Sequence, residues 1–85
     1  MSKIADVLID HEERYRKAKA EYFSACRRML LIGWNYDDYI TAVECVGRMH
    51  AVALSADENF GDDRWMTDYN HTNVEEHLLT ELGLA

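Results

Sequence analysis

Asp57, Asn59, Asp63 and Asp68 come nearest, by type and spacing, to a constellation that could do chemistry. They stand at offsets 1, 3, 7 and 12 of one stretch, the spacing at which an EF-hand loop offers oxygen ligands to calcium. The other positions do not follow that pattern. Gly61 falls where a further ligand oxygen is needed, and Asp62 occupies the sharp turn that calls for glycine. Asp68 is too short to replace the bidentate Glu that closes such a loop. The histidines offer no alternative, because His11, His50, His71 and His77 lack the close spacing of a metal-ligand pair with one another or with a cysteine. Cys45 and His50 are five residues apart and do not share a helix face, and Cys26 lies on an apolar side. No nucleophile therefore meets a base. The expectation is a protein that is not an enzyme and uses neither metal nor cofactor.

What the acidic–aromatic stretch 57–70 does offer is a binding surface. Asp57, Glu58, Asp62, Asp63 and Asp68 would meet basic side chains, and Trp65 and Tyr69 would supply the aromatic contact area on which interfaces depend. Asp37 and Asp38 form a second acidic patch. The charge distribution points the same way. The chain has 85 residues and a net charge of −7. Residues 1–32 carry seven basic and five acidic side chains, whereas residues 33–85 carry two basic and eleven acidic ones. An anionic remainder of this kind disfavours direct contact with nucleic acid and favours a basic protein surface. The cations of the first segment, Arg14, Arg16, Lys17, Lys19, Arg27 and Arg28, are interleaved with Glu12, Glu13 and Glu21. Pairs such as Glu12–Arg16 and Glu13–Lys17 have the i,i+4 spacing of a salt-bridged helix face, not of a grip on RNA.

The elements that must position these residues are helical. Hydrophobic residues make up 48% of the chain and proline is absent, so a helical core outweighs a turn-rich β fold. Ile4, Leu8, His11, Tyr15, Ala18, Tyr22, Ala25, Met29 and Ile32 form one unbroken row at alternating spacings of four and three. The row predicts a helix over about 3–32, capped by Ser2 and stopped at Gly33. Its stripe is narrow as far as Ala18 and widens from Tyr22, where Phe23, Cys26 and Leu30 join it, so the second half should lie in the main core. Asn35 reads as the next N-cap, opening a largely apolar helix over about 36–54 that folds back antiparallel on the first. Folding back about Trp34 brings Cys45 near Phe23 and leaves the thiols about a turn apart, hence free. The segment 55–71 reads as irregular, with room for a short helix near Asp62–Asp68 and with aromatics that plug the open end of the hairpin. Thr72 and Glu75 have capping-box spacing and predict a last helix over about 73–82, with Val74, Leu78 and Leu82 on its apolar edge and Gly83 at its stop.

A first helix of about 45 Å overshoots a globule whose radius of gyration should be about 12 Å. Its N-terminal half is therefore expected to stand free for another chain, with Ile4, Leu8, His11, Tyr15 and Ala18 as a homodimer seam. No run reaches the length of a membrane span, and no signal-like segment opens the chain, so a single cytoplasmic domain is expected.

In general build the sequence resembles small phage-encoded inhibitors of the anti-CRISPR type: under a hundred residues, an acidic excess across 57–68, and no catalytic constellation. The resemblance implies a protein that either imitates nucleic-acid phosphates or blocks a basic groove on a nuclease complex, and it carries over no site residues. Together these readings predict an all-α fold, a long antiparallel helical hairpin closed by a short C-terminal helix. The predicted function is a non-catalytic acidic inhibitor of a basic, nucleic-acid-binding partner. The alternative is a homo-oligomeric assembly protein joined through the first-helix seam.

Overall fold

The computed structural model describes residues 3–72 together with 76 and 80, and side chains from residue 6 onward. Helix α1 spans Lys3–Leu31, α2 spans Tyr36–Phe60 and α3 spans Arg64–Thr72. The fold is all-α: α1 and α2 form a long antiparallel hairpin and α3 lies along it. Among the described residues there is no strand, and no helix is long and apolar enough to cross a membrane.

The row that predicts α1 also builds the core. His11, Tyr15, Ala18, Tyr22, Ala25 and Met29 are all buried. They face Ala42, Cys45, Val46, Met49, Val52, Ala53 and Ala56 of α2. Alanines on both helices let the backbones approach, and the larger Tyr15, Tyr22 and Met49 fill the spaces between them. Cys26 and Cys45 are buried free thiols. The Cys45 thiol faces the Glu21 carboxylate at 3.8 Å.

Local signals set the boundaries. Gly33 takes φ +131°, a value that side chains rarely tolerate, and it ends α1. Asn35 caps α2, its side-chain oxygen accepting from the Asp38 backbone N–H at 2.8 Å. Gly61, at φ 67°, ends α2 in the left-handed conformation. Helix α2 is thus six residues longer than the expected end at Leu54. Ser55, Asp57, Glu58 and Asn59 interrupt the apolar pattern, but Ala56 is buried and Phe60, though partly exposed, sets its ring against His11 on the same side of the helix. The true stop is the glycine.

The irregular segment expected over 55–71 is likewise mostly helical. Asp62 starts α3, its carboxylate accepting from the Arg64 backbone N–H at 3.3 Å and from the Arg64 guanidinium at 2.8 Å. Thr72 is the last residue of α3. The expected helix 73–82, including Val74, Glu75, Leu78 and Leu82, lies outside the described residues except for 76 and 80, which are helical.

The longer α2 removes the reason to leave the first half of α1 free. The molecule measures 46 × 20 × 15 Å, with a radius of gyration of 14.1 Å. It is a rod throughout, and α1 is covered by its own chain instead of overshooting a sphere.

Candidate functional site

Three of the five residues of the expected dimer seam lie inside the molecule. His11, Tyr15 and Ala18 are 4%, 1% and 3% exposed, buried beneath α2 and α3, so they are closed to a second copy. Leu8 is half-buried, and the Ile4 side chain lies outside the described residues. His11 is fully satisfied where it stands. Its Nδ1–H donates to the Val7 carbonyl at 2.7 Å, and the Ser55 hydroxyl donates to Nε2 at 3.1 Å. Asn59 in turn donates to Ser55 Oγ at 3.2 Å, and the Phe60 ring meets the imidazole edge-on. A serine next to a histidine invites comparison with a hydrolase. Here Ser55 sits inside α2, where nearby backbone N–H groups are spent on the helix and none faces a developing oxyanion. The pair satisfies a buried polar ring.

The acidic–aromatic residues expected to meet a partner divide into two groups. The first group holds α3 to the hairpin. Asp68 accepts from Tyr15 Oη at 2.7 Å and from Lys19 Nζ at 2.8 Å. Burial pushes the Tyr15 hydroxyl well above its usual range, and the neighbouring carboxylate adds to the effect. For Asp68 itself burial works upward, but the hydrogen bonds from Lys19 and Tyr15 outweigh it and hold the carboxyl below its usual value. Trp65 lies half-buried against Tyr15, with ring centroids 5.2 Å apart, between the guanidinium groups of Arg16 and Arg64. Its indole N–H is buried with no hydrogen-bond acceptor. Tyr69 stacks on His50 at 5.1 Å. Asp62 is bound to Arg64, whose hydrogen bonds lower its pKa. Asp38 is held low by Asn35 first and then by Arg28. Trp65, Tyr69, Asp62, Asp68 and Asp38 therefore have contacts within the chain and are half-buried. The calcium reading fails on the same geometry, since α2 is continuous through Asp57 and Asn59. Among the described residues no three His, Cys, Asp or Glu side chains gather as a metal site would need.

The second group is unneutralised. Asp37, Asp57, Glu58 and Asp63 make no ion pair among the described residues, and neither does Glu44, which the sequence reading passed over. Asp37, Glu44 and Glu58 share the helical row that also contains Ile40, Gly47, Ala51 and Leu54. The row follows the side of α2 turned away from the core residues of that helix. In all 25 residues of α2 the single lysine or arginine is Arg48, which is paired with Glu21. On α1 the pair Glu12–Arg16 forms, whereas Glu13 and Lys17 are not joined.

One surface was missed altogether. Leu30 and Ile32 were expected in the core with the wide half of the α1 stripe, yet both are exposed, and so are Leu31, Trp34 and Tyr36 beside them. These five side chains are 59–82% exposed and cover the closed end of the hairpin. Arg27 and Asp37 flank this apolar end, and neither makes an ion pair among the described residues; Arg28 is bound to Asp38 at 2.9 Å. A depression of about 220 Å³, lined by Ser24, Arg27, Arg28, Leu31 and Ile32, opens on the α1 side. The signal was in the sequence. Met29 is the last buried residue of the inward row; Leu30 and Leu31 stand off that row on other sides of α1, and Ile32, which is on it, falls at the bend.

No family model matches this chain, and neither a curated protein nor a solved structure is significantly similar to it.

Proposed function

We propose that this protein acts by binding and not by catalysis, setting the outer face of α2 against a basic surface on a partner protein. The observation that carries the reading is the unneutralised row from Asp37 through Glu44 to Glu58, about 30 Å of helix with no unpaired lysine or arginine on it. Asp57 and Asp63 extend the negative surface around the end of α2. Ile40, Ala51 and Leu54 lie on the same row and give it apolar contact area. A negative row of this length suits a groove built for nucleic-acid phosphates, so an inhibitor that occupies such a groove is the form of binding it fits best. Phosphate-like charge would come from carboxylates on a rigid helix, and association would be fast and sensitive to salt.

The test is capture of partners from a lysate by the wild-type chain and by a Glu44→Gln, Glu58→Gln, Asp37→Asn variant, with identification by mass spectrometry. Basic proteins should be retained by the wild type, released by high salt and lost with the neutralised variant. Equal capture by the two proteins, or retention that salt does not weaken, would overturn the proposal.

A further inference from the structure

We infer that the closed end of the hairpin is a self-association surface, on which a second copy of this chain docks end-on about a twofold axis. This does not depend on the acidic-face reading: the two surfaces have only Asp37 in common, and the apolar side chains used here lie outside that row. Three observations select the occupant.

The first is area. Leu30, Leu31, Ile32, Trp34 and Tyr36 leave on the order of 700 Å² accessible at one end of the rod. That is close to the share of about 800 Å² that each partner buries in a standard interface.

The second is charge. Arg27 stands on the α1 side of the patch and Asp37 on the α2 side, and among the described residues neither has an ion-pair partner. A basic partner would be opposed by Arg27 and an anionic one by Asp37. A second copy turned through a half-rotation satisfies both, because Arg27 of each copy then faces Asp37 of the other. A twofold contact is self-complementary in this way by construction. The end-on arrangement also keeps the acidic outer rows of the two molecules apart along their 46 Å axes.

The third is shape. The depression beside Arg27 and Leu31 is about 220 Å³, below the range of metabolite pockets, and it has room for a large apolar side chain from the facing copy.

The charge pairing gives a test that a generic sticky patch would not pass. Sedimentation equilibrium on the full chain should show a monomer–dimer equilibrium with a Kd of the order of 10–100 μM. Arg27→Glu alone places two acids face to face, and Asp37→Arg alone places two bases face to face. Each should raise Kd about tenfold or more. An equimolar mixture of the two single variants restores both opposite-charge contacts in the heterodimer, so it should associate nearly as well as the wild type. Both sites are exposed, and circular dichroism checks that each variant is folded. A Leu31→Ser, Ile32→Ser variant should remain monomeric. The inference is overturned if the wild type is monomeric up to about 1 mM. It is also overturned if the mixture associates no better than either variant alone, or if the double serine variant keeps the wild-type Kd.

Discussion

Replacing Asp68 by alanine should loosen α3 from the hairpin, and the size of the effect follows from what the carboxylate touches. Tyr15 is 1% exposed and its hydroxyl donates to Asp68 at 2.7 Å. A hydrogen bond to a charged group contributes about 1.5–3 kcal/mol. The Lys19 ion pair adds little, about 0–1 kcal/mol, because its side chains are 30% and 38% exposed and therefore screened. Asp68→Ala should therefore cost about 2 kcal/mol. For a domain of this size that corresponds to a fall in Tm of about 8–16 °C. Tyr15→Phe removes the other half of the bond and leaves the ring packed on Trp65. In a double-mutant cycle the Tyr15→Phe, Asp68→Ala protein should be more stable than the sum of the single losses implies, by about 1 kcal/mol or more. Thermal melts followed by circular dichroism measure all four corners. A loss below about 0.5 kcal/mol for Asp68→Ala, or strictly additive losses, would refute the assignment of Asp68 to the interior joint and return it to the candidate partner surface.

Gly47 stands mid-helix in α2, where an added Cβ would meet nothing within 4 Å. Gly47→Ala should therefore stabilise the protein by about 0.8–1 kcal/mol, visible as a higher denaturation midpoint in urea; a destabilised variant would contradict the helix drawn there. The pH dependence is also fixed in sign. The pKa values of Asp38, Asp62 and Asp68 are lowered by their hydrogen bonds, so the folded state holds these protons less tightly than the unfolded chain does. Their contribution is present above the unfolded carboxylate value of about 4 and is lost as pH falls through the folded values. Urea titrations from neutral to acid pH should show that loss, with a shallower acid limb in Asp68→Asn. An identical limb would mean that Asp68 does not carry it.

Helix α1 was legible because the signal is repetitive: one row at helical spacing, broken by neither glycine nor proline, ending at a glycine. The end of α2 was misplaced because Ser55 and Asp57–Asn59 lie mostly outside the inward row, and their polarity looks like a loop when Ala56 and Phe60 on the inward side are overlooked. The candidate site was harder to see for a different reason. Whether a carboxylate is open to a partner depends on which base the fold brings to it, and Lys19 lies 49 residues from Asp68. Local patterns mark an acidic residue but not its neutralisation. Five of the nine residues expected to bind a partner already have partners within the chain. The closed end of the hairpin, by contrast, could have been found by asking what each apolar residue would face after the chain reverses.

The four-residue connection Ile32–Asn35 also bears on how the chain reaches its native state. Met29 and Ala42 are close in sequence, whereas His11 and Ser55 meet only across 44 residues. Closing the shortest loop costs the least entropy, and each further turn of α1 laid on α2 closes a slightly larger one. Assembly should therefore begin at the bend and advance toward the termini, with α3 arriving last. The greasy bend would be ordered before the remainder has condensed, and during that interval it is the part of a nascent chain most exposed to its neighbours.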